Sequence, residues 1–176
     1  SLVAQLVRRA ADIHDDENVE AKRLKLMARV LRNVHANEAD RVAVFLGELA
    51  SARFLAENRP GLAAARHDPM LMREEVERAW CDFLEAELAE QPLVLVIEDL
   101  QWGDLPSIKY LELALKTHRD RPLFVVIAGR HGTETQFASF WENANVYVVK
   151  LAKLSRAAGK AMVRAVLGEI PEARVE

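Results

Sequence analysis

Residues 92–115, PLVLVIEDLQWGDLPSIKYLELAL, and residues 121–130, RPLFVVIAGR, decide the fold. Each segment opens with Pro and Leu and continues as an apolar run rich in Val and Ile: Leu93–Ile97 in the first, Leu123–Ile127 in the second. Runs of this kind, without polar alternation, predict short strands buried on both faces. Between them Asp104 can cap a helix with Pro106 in its first turn, and Leu105, Ile108, Leu111 and Leu115 supply an apolar face. Strand, helix and strand within about thirty residues make one right-handed parallel βαβ unit.

Working outward, residues 1–91 read as helical. Leu2, Leu6 and Arg9 begin an amphipathic stretch, and Asp15, Asp16 and Asn18 suit a loop and a helix start. Leu24, Met27, Leu31 and Val34 then recur at spacings of three and four, as a helix stripe does. Val42, Phe45, Leu46 and Leu49 repeat the pattern, with Gly47 as a tolerated weak point. Residues 57–69, ENRPGLAAARHDP, carry two prolines and a glycine and break it. A strong helix follows from Met70, with Asp68 and Pro69 at its start and Met72, Val76, Trp80, Phe83, Leu84 and Leu88 as its buried stripe.

Beyond Arg130, Val146–Val149 is expected to add a strand, and Ser155 to cap a helix carrying Ala158, Met162, Val166 and Leu167. The expected architecture is therefore α/β: a helical region over 1–91, a parallel βαβ core over 92–150 with about three strands, and a helical segment over 151–176.

Composition narrows the function classes. A chain of 176 residues is sized for one core. With 51% hydrophobic and 29% charged residues it has the make-up of a globular protein and not of a disordered one. The formal charge of -3, with Lys and Arg scattered, gives no cationic stripe for direct nucleic-acid binding. The apolar run Leu93–Ile97 is about a quarter of the roughly 20 residues a bilayer crossing needs, so no membrane span is expected. No secretory leader is read at the N-terminus, and Cys81 is the single cysteine. Those two observations predict a reducing, cytoplasmic setting.

Glu98 and Asp99 stand where the first strand ends, and Arg130 follows the second strand in the same way. Ligands of parallel sheets bind outside the carboxyl ends of the strands. Two carboxylates beside a guanidinium suit a metal-bound polyphosphate, the acids holding Mg²⁺ or its waters and activating a hydrolytic water while the arginine faces the transferred phosphoryl group. The plainer alternative is that one acid caps the next turn, the other is solvated, and Arg130 pairs with them.

The text from Pro92 to Arg130 resembles the Walker B and sensor region of STAND-type, AAA-related P-loop ATPases, whose motif runs as four apolar residues, an acid, Asp, Leu, His, Trp, Ala, Asp. The stretch VVKLAKLSRAAGKAMVRAVLG, 148–168, is similar to the start of that family's helical lid. The resemblance implies a partial P-loop, three-layer fold. It implies ATP and Mg²⁺ as cofactors, Glu98 on the metal side, Asp99 on the attacking water, each able to take the other's part, and Arg130 sensing the γ-phosphate. Trp102 and Asp104 fall on the motif's aromatic and acid, with packing of the loop and capping of the helix as their implied tasks. Gln101 stands where His is usual and Gly103 where Ala is usual. Family members are typically large bacterial signal-transduction or transcription-regulatory proteins, so the implied partners are ATP or ADP, other domains of a longer chain, and further copies of itself.

A P-loop ATPase also needs G-x-x-x-x-G-K-[ST], whose backbone amides cradle the phosphates. This stretch is missing from the chain; Gly159-Lys160 is followed by Ala161 and has Leu154 where the first glycine belongs. The expectation is that the loop lies upstream of Ser1, that the full domain hydrolyses ATP, and that this chain alone is inactive. The alternative is a non-catalytic P-loop-like scaffold acting as a protein interaction module. His14, His35, His67, His118 and His131 lack metal-ligand spacing and read as surface residues, Cys81 as a core thiol, and Ser107 and Ser155 as helix-start residues.

Overall fold

Side chains that satisfy orphan backbone N–H groups set most of the helix starts. A computed structural model, describing residues 1–143 and 146–168, places α1 at Leu2–Ala10, α2 at Val19–Val30, α3 at Ala36–Leu49, α4 at Pro60–His67 and α5 at Pro69–Glu90. Ser1 accepts from the Ala4 N–H, Asn18 from Ala21, and Asp68 from Met70 and Leu71. There follow β1 (Leu93–Ile97), a 3₁₀ turn (Leu100–Trp102), α6 (Leu105–Thr117), β2 (Leu123–Ile127), α7 (Thr133–Gln136) and α8 (Ala138–Asn143). These elements belong to one compact unit, Ser1–Asn145, and a second, Val146–Glu176, carries α9 (Arg156–Leu167) behind its Ser155 cap.

β1 and β2 are parallel and in register from Leu93↔Leu123 to Ile97↔Ile127, with α6 as the crossover between them. The chain is thus α/β, with a sheet of two strands among the described residues. The third expected strand, Val146–Val149, is not formed.

The core lies among α1 to α5 and reaches Tyr110 and Ala114 of α6, where the Trp80 indole N–H donates to the Tyr110 carbonyl at 3.2 Å. Leu93, Leu95 and Leu123 pack on that core with one face of the sheet. The strands are not buried on both faces as the sequence predicts. Val94, Val96, Phe124 and Val126, on the opposite face, are exposed, Phe124 to 65%.

Further corrections concern the helices. The inward stripe of α2 and the turn after it is Leu26, Val30 and Val34, with Met27 partly buried, while Leu24 and Leu31 are exposed. Both stripes obey the helical period, and packing selects between them. The break at residues 57–69 holds α4, because Pro60 at its first position starts a helix instead of ending one, and Leu62 and Ala65 enter the core. Gly47 is no weak point: a Cβ there would stand 2.7 Å from the Ala52 carbonyl oxygen. His118 is buried, not at the surface, because it caps the end of α6 where the chain folds back through an Arg121 N–H to His118 carbonyl bond of 2.9 Å.

Candidate functional site

The carboxyl end of β1 is shaped by two cross-chain bonds. The Ala128 N–H donates to the Ile97 carbonyl at 2.8 Å, and the Leu100 N–H donates to the Ala128 carbonyl at 3.0 Å. Glu98 and Asp99 lie in the short arc between those anchors. Asp99 takes φ 54° and ψ 44°, a left-handed conformation in which Asp is among the better tolerated non-glycine residues. Both side chains are exposed.

Gln101 joins this arc to the end of β2. Its Nε2 donates to Asp99 Oδ1 at 2.7 Å, and its Oε1 accepts from the Arg130 backbone N–H at 3.2 Å. One amide therefore fixes the orientation of a site carboxylate and the position of the residue at the neighbouring strand end. Thr133 Oγ1 donates to the Arg130 carbonyl as well. The Gln101 amide acts here as donor and acceptor at once.

Asp104 does more than cap α6. Its Oδ1 accepts from the Ser107 N–H at 2.9 Å, while Oδ2 accepts from the Ser107 hydroxyl at 2.9 Å and from the Leu2 N–H at 3.3 Å. The Val3 N–H in turn donates to Ser107 Oγ at 3.3 Å. Two orphan donors at the start of α1 are satisfied by the first turn of α6, and Ser107 is fully buried there. Gly103 permits this approach, since a Cβ would lie 2.8 Å from the Leu100 carbonyl oxygen and 3.2 Å from Leu2 Cδ1.

α1 and the end of β1 border an open groove of about 270 Å³, along which Gln5, Arg9, Glu98 and Asp99 are exposed. Its β1 side is Val96 to Asp99, its α1 side includes Gln5 and Arg9, and Trp102 stands at its rim. Trp102 is the correction to the packing task expected of it: the ring is 77% exposed and does not fill the loop interior. Arg130 is exposed and is not among the walls of this groove, although its backbone is tied to Asp99 through Gln101. Glu98 and Asp99 are thus brought together in one groove, and Arg130 is linked to it without lining it.

Sequence reasoning missed the linking role of Gln101 and the contribution of α1. The only signal for the latter is the spacing of Leu2, Gln5, Leu6 and Arg9, one helical stripe, and nothing local says what that stripe faces.

The other groups considered do not form a second site. Cys81 is partly buried with its Sγ 3.9 Å from Thr117 Oγ1, and burial pushes the thiol up, away from the reactive thiolate. No group of three or more His, Cys, Asp and Glu able to hold a metal ion occurs among the described residues. No helix among them is long and apolar enough to cross a membrane. No family model, curated protein or solved structure matches the chain.

Proposed function

We propose that the chain is the carboxyl-side part of an ATP-binding and ATP-hydrolysing switch domain of the STAND type, in a larger signalling or transcription-regulatory protein. The observation that carries this reading is the parallel strand pair with Glu98–Asp99 directly after β1 and Arg130 three residues after β2, joined by Gln101. The uncovered apolar sheet face adds support. Parallel sheets are covered on both faces, so Val94, Val96, Phe124 and Val126 call for a further layer.

The donor set fits the metal side of a nucleotide site. Glu98 and Asp99 would hold Mg²⁺ directly or through its waters, and the ion when bound supplies positive charge against the phosphates. The phosphate side requires backbone amides of a glycine loop, which upstream residues would contribute. Asp99, fixed by Gln101, is suited to orient the attacking water and accept its proton as the water oxygen bonds to phosphorus and the bond to the ADP oxygen breaks. Glu98, whose side chain has no hydrogen bond or ion pair among the described residues, is left to the metal side. Arg130 serves the γ-phosphate from the neighbouring strand end.

The uncovered face also favours a second reading, in which a P-loop-like scaffold binds a protein partner and the acids are structural. Calorimetric titration of magnesium ATP into this chain and into a version extended upstream by about one βα unit separates the two. The expected result is binding by the extended form alone, with Asp99→Asn in that form retaining binding and losing hydrolysis. Absence of binding by both forms overturns the ATPase reading, and undiminished turnover by Asp99→Asn removes that carboxylate from the mechanism.

A further inference from the structure

We propose that α1 supplies the cationic wall of the site, with Arg9 binding a phosphate oxygen of the metal-bound nucleotide and Gln5 donating to a second. This inference rests on the nucleotide reading above and deepens it, because it assigns the positive charge along the groove, which Arg130 does not line, to a helix outside the strand motif.

Placement is the first ground. Leu2, Gln5, Leu6 and Arg9 follow the i, i+3, i+4, i+7 spacing of one helix stripe, and all four line the same groove as Glu98 and Asp99. The opposite side of α1 is committed to the core, with Val3 and Val7 almost fully buried. The helix therefore cannot rotate to turn Arg9 elsewhere without exposing them.

The second ground is anchorage. The first turn of α1 is held by Asp104 and Ser107, and at its other end the Arg29 Nε donates to the Ala10 carbonyl at 3.0 Å. Arg9 projects from a helix pinned at both ends, so ligand binding need not order the backbone that carries it.

Charge is the third. Neither the Arg9 guanidinium nor the Glu98 carboxylate has a hydrogen bond or ion pair among the described residues, whereas Arg8, the next residue, is paired with Asp15. Glu98 and Asp99 together cancel the two charges of a divalent ion. The triphosphate is then left with its own negative charge, and among the walls of the groove Arg9 is the cation. At about 270 Å³ the groove falls just below the roughly 300–1,000 Å³ of small-molecule clefts, and it suits a metal-bound phosphate tail more than a whole nucleotide.

The test is calorimetric titration of magnesium ATP and of magnesium inorganic triphosphate into the upstream-extended protein and its Arg9→Ala, Arg9→Lys and Arg8→Ala variants, at two salt concentrations. Arg9→Ala is expected to weaken both ligands about tenfold or more and to flatten the salt dependence, as loss of a charge-assisted phosphate contact does. Arg9→Lys should recover most of the affinity. Arg8→Ala, the same change of net charge one residue away, should stay within about threefold of the parent. Wild-type affinity in Arg9→Ala overturns the inference and leaves the nucleotide reading intact. Equal weakening by Arg8→Ala also overturns it, by showing a diffuse field in place of a contact. Absence of binding by the unsubstituted protein overturns both readings together.

Discussion

A methyl group added to Gly47 would meet the Ala52 carbonyl oxygen at 2.7 Å and the Phe54 ring at 3.0 Å. Helix propensity alone argues the other way, since replacing an interior glycine by alanine gains about 0.5–1 kcal/mol. The close backbone approach wins, because a carbonyl oxygen cannot swing aside as a side chain can. Gly47→Ala is expected to cost about 1–3 kcal/mol in urea unfolding, and a stabilised variant would show that the 47–54 region gives way. A Cβ at Gly103 would likewise crowd the Leu100 carbonyl and Leu2. The Phe54 contact at Gly47 and the Leu2 contact at Gly103 cannot be read from the local text, because each involves atoms outside the glycine's own turn.

Between elements, one arginine does the work of a staple. Arg29 on α2 forms a bidentate pair with Glu87 of α5, with Nη1 to Oε1 at 2.6 Å, and its Nε reaches the end of α1. Asn33 Nδ2 donates to the same Glu87 Oε1 at 2.9 Å, and the guanidinium lies 5.4 Å from the centre of the Phe83 ring. Glu87 is almost fully buried, so removing its partner leaves a charge without compensation. Arg29→Ala is expected to cost about 3–5 kcal/mol, more than Glu87→Ala, because the arginine is the less buried of the two. Chemical denaturation of both single variants and the double variant checks the order; equal small losses would mean that the pair is screened. By contrast, Leu24, read from the sequence as part of the buried stripe, is exposed, and Arg29 shows that the polar side of a predicted helix can be the side that matters.

At the level of the whole molecule, the largest departure from expectation is the sheet. The two parallel strands leave one apolar face, Val94, Val96, Phe124 and Val126, in solvent. Phe124→Asp is expected to cost less than about 1 kcal/mol in this chain, since the ring is 65% exposed, and to reduce binding of a hydrophobic dye. In the upstream-extended protein the same substitution should cost several-fold more and the Val94 and Val96 face should lose dye binding. A large loss in the short chain would mean that the face is already covered there. The acidic pair and Arg130 were legible as strand-end residues, because apolar runs and their endings are local features. The groove was not, since its other wall comes from α1, some ninety residues earlier in the chain, and long-range packing of Val3 and Val7 together with the Asp104 and Ser107 contacts brings it there.

The sequence by itself determined the helical first half, most of the capped helix starts, the parallel βαβ unit and the position of Glu98, Asp99 and Arg130 at the strand ends. These depend on period, capping and apolar runs, all of which act within a few residues. Tertiary structure alone decided which α2 stripe is buried, that Val146–Val149 forms no strand, that Trp102 is exposed, that Gln101 links the two strand ends, and that Arg9 lines the same groove as the acids. Each of those depends on which surface packs against which, and a period fixes the spacing of a face without fixing its partner.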